Sequence, residues 1–266
     1  MLLTVLTPTY NCAQTLPDTL QSVMDLQAQL PGNIEHLIGD AGSTDGSAGI
    51  ISRYVAENAW AASYPAISLN IPATLNALLP HARGRWIVVL NGDDVFEVGP
   101  LRALMEEPQP ERPSVLCGQV AVLSMQGIPL GARDCRPEQL GRFMSVNHPA
   151  MLVDRRVFDL IGPFEPSIVV AYDYAWTWRA FRSGVPFIRH PAILARARLG
   201  GISQTKASQV ASEMLQTKLK AGCTLPALRD YLAYLVKAWF RKLLPTQTAA
   251  GLIRLYRRMT GSIENY

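Results

Sequence analysis

The chain opens on Leu2 to Leu6, an apolar run that suits a strand buried on both faces. After it, Leu16, Leu20, Val23, Met24 and Leu26 to Leu30 recur at helical spacing behind Pro17, a residue favoured near a helix start. The alternation then repeats. It predicts a strand over Ile34 to Ile38, a helix over Ala48 to Glu57 and a weaker strand over Ala66 to Leu69, followed by a helix over Ala73 to His81 and a strongly apolar strand over Trp86 to Leu90. Strands alternating with helices predict an α/β fold, a mostly parallel sheet flanked by crossover helices.

Beyond Asn91 the pattern loosens. Val115 to Met125 predicts a long strand, and Gly127-Ile-Pro a turn that would fold Leu123 to Leu130 into a hairpin. Met151 to Val153 reads as a strand, Arg155 to Ile161 and Tyr174 to Arg182 as helices, and Phe187 to Ala197 as one or two strands. From Gln204 to Met259 the pattern is helical, broken near Gly222 to Pro226 and at Pro245. The expected organisation is a body over 1–204 and a helical extension over 205–266.

Composition narrows the class. With 48% hydrophobic and 17% charged positions over 266 residues, the chain is too apolar to be disordered. Cys12, Cys117, Cys135 and Cys223 form no C-x-x-C pair, which argues against a disulfide scaffold or structural zinc and for a reducing compartment. The net charge of +4 hides a division: residues 1–204 hold 15 arginines and no lysine against 18 acids, a net of −3, and residues 205–266 carry +7. No basic segment precedes the first apolar run, and Pro8 interrupts it, so no signal peptide is expected. The long uncharged stretch from Asn58 to Ala82 is broken by Pro65, Asn70, Pro72, Asn76 and Pro80, so no transmembrane helix is expected either, and the predicted location is cytoplasmic.

Three polar loops fall at the C-terminal ends of predicted parallel strands: Thr7-Pro-Thr-Tyr-Asn11, Asp40-Ala-Gly-Ser-Thr-Asp-Gly46 and Asn91-Gly-Asp-Asp94. Open α/β sheets bind ligands outside those ends, where strand order reverses. Asp93 and Asp94 follow a hydrophobic strand, where two adjacent carboxylates repel unless a cation or donor offsets them. A hard divalent ion held by one carboxylate and substrate phosphates meets that need; an exposed Asp-Asp turn is the bland alternative. Gly42 and Gly46 permit close backbone approach to a ligand, and Ser43 or Thr44 can cap a helix whose N-terminus faces an anion. No G-x-G-x-x-G or G-x-x-x-x-G-K-[ST] run is present, which argues against a dinucleotide fold or a P-loop.

Together Thr7-Pro-Thr-Tyr-Asn11, Asp40-Ala-Gly-Ser-Thr-Asp-Gly-Ser47, Ala82-Arg-Gly-Arg-Trp-Ile87 and Leu90-Asn-Gly-Asp-Asp94 resemble the successive motifs of glycosyltransferase family 2, inverting enzymes of the GT-A fold. The likeness runs over about residues 1–200 and is to bacterial enzymes that build surface polysaccharides such as colanic acid or O-antigen. The resemblance implies a nucleoside diphosphate sugar donor of UDP or GDP type and a lipid-linked or oligosaccharide acceptor. It implies that Pro8, Thr9 and Tyr10 line the nucleoside pocket, that Asp40 hydrogen-bonds the base, and that Asp93 contacts ribose or nucleotide. Asp94 would bind Mg²⁺ or Mn²⁺ bridging the diphosphate.

An inverting transfer also needs a general base for the acceptor hydroxyl. The resembling enzymes place an acid before a helix in the second half, and Val170-Ala-Tyr-Asp-Tyr-Ala-Trp-Thr-Trp-Arg179 nominates Asp173, which by local sequence is equally a helix N-cap. His148 corresponds to a histidine that would touch phosphate or acceptor or complete the metal shell, the alternative being a structural role. Arg198, in Arg196-Ala-Arg-Leu-Gly-Gly-Ile-Ser203, is the candidate phosphate partner. At most one of Trp176 and Trp178 is expected to offer a sugar-stacking face. One departure stands out: where relatives carry an Asp-x-Gly-Ile-Tyr-Asp-Ala-Met-Asn-like segment, this chain has Ser68-Leu-Asn-Ile-Pro-Ala-Thr-Leu-Asn76, keeping the Asn and losing both acids. That keeps an inactive nucleotide-binding scaffold as an alternative. A sugar nucleotidyltransferase is the other, although the Gly-rich, basic first loop it needs is missing from Thr7 to Asn11.

In the extension, Leu228, Tyr231, Leu232, Leu235, Trp239 and Leu243 form an apolar stripe, with Arg229, Lys237, Arg241 and Lys242 mostly off it. Such a basic amphipathic helix over 225–244 suits peripheral contact with an anionic inner membrane, or packing on the body or a second subunit. No nucleic-acid-binding module is recognisable.

Overall fold

The computed structural model describes residues 2–65, 69–124, 126–201, 205–225 and 227–233. Contacts divide the chain into two units, 1–204 and 205–266. In the first, β1 (Leu3–Thr9), β2 (Ile34–Asp40), β3 (Ala61–Pro65) and β4 (Trp86–Val89) lie parallel in the order β3-β2-β1-β4. The connections are α1 (Leu16–Gln29), α2 (Ser47–Glu57) and α3 (Ile71–Leu78). The chain leaves β1 in one direction toward β3 and returns on its other side at β4, so the strand order reverses at β1.

After β4 come β5 (Val95–Phe96), α4 (Val98–Glu106), β6 (Val115–Leu123), β7 (Pro129–Arg133), β8 (Met151–Asp154), α5 (Arg155–Ile161), α6 (Tyr172–Arg182) and β9 (Phe187–Arg198). They extend the sheet as β4-β8-β6-β9-β5, with β7 on β6, giving nine strands among the described residues. Here β8 runs antiparallel to both neighbours and β5 antiparallel to β9, so the sheet is parallel in its first half and mixed in its second.

Two expectations shift. The strand placed over 66–69 is found at Ala61–Pro65, and residues 66–68 lie outside those described. The segment Val98–Glu106, unassigned from sequence, is a helix with Leu101, Leu104 and Met105 on its buried side.

Alternate residues of the central strands feed opposite faces. Leu6, Leu37, Ile87, Val89 and Val153 pack with Leu75 of α3 and Trp176 of α6; Leu3, Val5, Trp86, Val88 and Leu152 pack with Val23 and Leu26 of α1 and Leu101 and Leu104 of α4. The Ala-Arg-Gly-Arg run ahead of β4 has a structural job. The buried Glu35 of β2 accepts from the Thr4 hydroxyl at 2.5 Å, from the N–H groups of Arg83 and Gly84, and from Arg83 Nε at 2.7 Å. A Cβ on Gly84 would stand 2.5 Å from Thr4 N, so no other residue fits the close approach of that turn to β1.

In the second unit, α7 (Ala207–Lys220) ends at a turn where Gly222 adopts φ 76°, and 227–233 are helical. Lys218 is buried and donates to Asp230 at 2.5 Å, an arrangement a buried ammonium requires. Leu225, Leu228 and Leu232 are exposed, at 81, 43 and 58%. Leu235, Trp239, Leu243 and the Pro245 break lie outside the described residues. No helix among the described residues is long and apolar enough to cross a membrane.

Candidate active site

The parallel register sets Thr9 at the end of β1 beside Asp40 at the end of β2. The loops that follow are knit together. The Asn11 N–H donates to Ser43 Oγ (2.9 Å), the Thr44 N–H to Asn11 Oδ1 (2.8 Å), the Ala13 N–H to Asp45 Oδ2 (2.9 Å) and the Cys12 N–H to Ser47 Oγ (3.0 Å). Positive φ at Asn11 (48°), Gly42 (78°) and Gly46 (101°) makes these turns possible. The Asp40 carboxylate accepts from the Ser43 hydroxyl (2.6 Å) and N–H (3.1 Å), with the Thr9 hydroxyl at 3.1 Å. Its orientation is therefore set before any ligand arrives, and acceptor capacity remains on Oδ2. Pro8 and Thr9 are buried in β1, and Tyr10 after them is half exposed.

The acid pair lies at the switch point. Asp94 is 5% exposed and Asp93 half-buried. Burial and the Asp93 charge push the Asp94 carboxyl well above the usual carboxylate range, opposed by donors from Asn91 Nδ2 (3.3 Å) and the Arg198 backbone N–H. Burial also raises Asp93, which the Arg198 charge partly relieves. Two desolvated carboxylates with hard oxygen donors fit Mg²⁺ or Mn²⁺ in character. Among the described residues no three His, Cys, Asp or Glu side chains form a metal cage. Asp94 would thus hold the ion together with substrate oxygens.

The second half of the body brings a further group to the same crevice. The buried His148 ring lies edge-on to Tyr172 at 5.6 Å; burial depresses its pKa while the Asp173 charge raises it. The Tyr172 phenol feels Asp173, Asp94 and Asp93, all of which, with burial, push its pKa up. Asp173 is the second residue of α6, and Ala171 is the N-cap. The capping alternative for Asp173 therefore gives way to a place inside the first turn, where Oδ1 accepts from the Tyr174 N–H at 2.7 Å.

Other nominated residues have different surroundings. Asn76 Nδ2 donates to Phe164 O (2.8 Å) and its Oδ1 accepts from Phe164 N–H (2.9 Å), so it fastens the segment ahead of α6 with both ends of its amide. One amide N–H and one oxygen lone pair remain for a ligand. Trp176 and Trp178 are both buried, Trp176 packing against Phe158 and Phe164, so neither offers the expected stacking face. Arg198 ends β9, and the Gly-Gly-x-Ser segment after it runs into residues 202–204, outside those described.

The sequence reading missed one face of α1. Thr15 Oγ1 donates to Gly92 O (2.7 Å), Thr19 Oγ1 donates to Asp94 O (2.7 Å), Ser22 Oγ accepts from Phe96 N–H (3.2 Å), and Asp18 Oδ2 accepts from Arg198 Nη2 (2.7 Å). Their three- and four-residue spacing, on a helix otherwise read for its leucines, was the available signal. Thr19→Val keeps the shape and orphans the Asp94 carbonyl, a loss of about 1–3 kcal/mol in chemical denaturation. Metal-dependent nucleotide affinity is expected to fall with it, and Thr19→Ser to retain most of both.

A model of glycosyl transferase family 2 matches residues 4–145. An uncharacterized glycosyltransferase of Mycoplasma pneumoniae, the MG025 homolog, is 33% identical over 97 residues, covering 36% of this chain and 32% of the relative. TuaG of Bacillus subtilis, named as a teichuronic acid biosynthesis glycosyltransferase, is 27% identical over 140 residues, covering 52 and 54%. The chain thus spans from a third to about half of these relatives. Among solved structures, S. aureus TarS 1-349 in complex with UDP superposes with TM-score 0.65 at 16% identity, over 93% of this chain and 76% of that one. The mannosyltransferase PcManGT from Pyrobaculum calidifontis, in complex with GDP-Man and Mn²⁺, gives 0.61 at 17%, over 98 and 80%. The shared architecture is the GT-A fold.

Proposed function

As the chain belongs to glycosyl transferase family 2, we propose that it is a metal-dependent, inverting hexosyltransferase acting in bacterial surface polysaccharide synthesis. It would move a sugar from a UDP- or GDP-type donor to a lipid-linked or oligosaccharide acceptor. The observation that carries this reading is the desolvated Asp93–Asp94 pair at the strand switch point, electrostatically joined to Tyr172 and through it to Asp173.

The nucleoside would rest on Pro8, Thr9 and Tyr10, with the preset Asp40 carboxylate receiving an N–H of the base and Gly42 and Ser43 shaping the loop around it. Asp93 would meet the ribose or diphosphate, and Asp94 would hold Mg²⁺ or Mn²⁺, His148 being the other metal candidate. A metal ion held there would neutralise the charge that develops on the departing diphosphate. Arg198 supplies a guanidinium to the same oxygens. Asp173 takes the proton of the acceptor hydroxyl as that oxygen attacks the anomeric carbon from the face opposite the leaving group, which inverts the configuration. Burial lowers the His148 pKa, and the Asp173 charge opposes that shift.

The test is incubation with a panel of UDP- and GDP-sugars and Mn²⁺, with mass spectrometry of the products. Release of nucleoside diphosphate from one donor, slow with water and fast with the right acceptor, supports the reading; a protein that consumes no donor favours the scaffold alternative. We further propose peripheral contact of residues 225–244 with the cytoplasmic face of the inner membrane, supported by the +7 charge of 205–266 and the exposed Leu225, Leu228 and Leu232. Flotation with phosphatidylglycerol vesicles is expected to carry the protein up at low salt and to fail with neutral vesicles.

A further inference from the structure

Arg198 is anchored from several sides. Its strand pairs with β6, placing it opposite Leu123. Its side chain is only 17% exposed, and Nη2 donates to Asp18 Oδ2 at 2.7 Å. Its Nε is buried without a hydrogen-bond partner. Asp18 itself is 61% exposed, in the first turn of α1, on the face whose Thr15 and Thr19 hold the acid loop. A buried guanidinium N–H without an acceptor is costly, and a solvent-exposed carboxylate is a weak holder for the rest of the fork. Arg198 is therefore half satisfied, by an anion that another can replace.

We infer that Asp18 is a placeholder for the donor diphosphate: it occupies the Arg198 guanidinium in the ligand-free protein and is displaced from it when phosphate oxygens arrive. This rests on the donor-site reading above and adds a residue to it. The exchange is favourable because a diphosphate brings several charged acceptor oxygens to the guanidinium, whereas Asp18 brings one carboxylate oxygen to Nη2. It also works in reverse, since Asp18 recaptures the guanidinium as the nucleoside diphosphate departs. Arg198 does not depend on Asp18 for its place, because its backbone is held by β6.

Asp18→Asn removes the competing charge while keeping the size, and at an exposed position it should leave the fold intact. Calorimetric titration of wild type and variant with UDP and with GDP, each with Mn²⁺, tests the inference. The variant is expected to bind whichever diphosphate the wild type binds about two- to fivefold more tightly, the range that the loss of one exposed ion pair supports. It should also release that ligand more slowly in stopped-flow displacement. The parent nucleoside, which lacks phosphates, should bind both proteins equally, and in an Arg198→Gln background the Asp18 effect should vanish. Unchanged or weaker diphosphate binding by Asp18→Asn overturns the placeholder role and leaves the donor site standing. If wild type binds neither diphosphate, the donor reading itself fails.

Discussion

Asp173→Asn is expected to lose sugar transfer by roughly 10²- to 10⁴-fold, the usual contribution of a positioned general base, while nucleotide affinity stays near that of the wild type. The side chain keeps its size, and its Oδ1 can still accept from the Tyr174 N–H, so the first turn of α6 is preserved. What disappears is the ability to take a proton. Donor hydrolysis and acceptor transfer should both fall in kcat, with KM for the donor little changed, because Asp173 is argued to act on the incoming oxygen and not on the nucleotide. A variant that transfers at the normal rate removes Asp173 from the mechanism and returns it to helix formation alone.

Asp94→Asn separates activity from stability. Its carboxyl is held above the ordinary carboxylate range by burial and by Asp93, so its ionised form opposes folding when no cation is bound. The sign follows from linkage: for a group whose folded pKa is raised, the destabilisation exists above that pKa and is relieved as pH falls through it. An amide never ionises, so the metal-free variant should melt at a higher temperature than the metal-free wild type near neutral pH, and the gap should close as pH is lowered. Activity should move the other way. Loss of the carboxylate proposed to hold the metal is expected to reduce transfer by on the order of 10³-fold, comparable with losing a principal electrostatic stabiliser of the departing group. Melting curves with and without Mn²⁺ and a donor-turnover assay read both effects on one preparation.

The parts of the fold visible in the sequence were those where one residue pattern has one solution. β1, β2 and β4 are buried on both faces because helices cover both sides of the sheet, and the polar loops at their ends stand out against them. β3 was misplaced by several residues because Ala61-Ala-Ser-Tyr-Pro pairs on one side only, with β2, and an edge strand needs little apolar character. β5 is too short to have a period at all, yet its pairing with β9 puts the acid loop near Arg198. α4 carried a legible spacing in Leu101, Leu104 and Met105, obscured by Gly99 and Pro100 at its start.

In the site, residue identities were easier to read than the partners that hold them. Asp40, Asp93, Asp94, Asp173 and Arg198 attract notice as charges at strand and helix ends. Thr15, Asp18, Thr19 and Ser22 do not, because a polar stripe on a helix ordinarily faces water, and only the tertiary structure turns this one toward the backbone of residues 92–96. Asn76 stands out in the sequence as the residue kept where two acids are lost, whereas its double tie to Phe164 is visible only in the structure.

The central claim is that the Asp94 region holds a nucleoside diphosphate through a divalent ion, and thermal unfolding with UDP or GDP in the presence and absence of Mn²⁺ tests it most directly. A ligand that binds only the folded state at about 100 times its Kd stabilises it by about 2.7 kcal/mol. The account predicts a rise in melting temperature with one of the two nucleotides that requires Mn²⁺ and is absent in Asp94→Ala. A protein whose melting is unmoved by either nucleotide, with or without Mn²⁺, or an Asp94→Ala variant that responds as the wild type does, would contradict it.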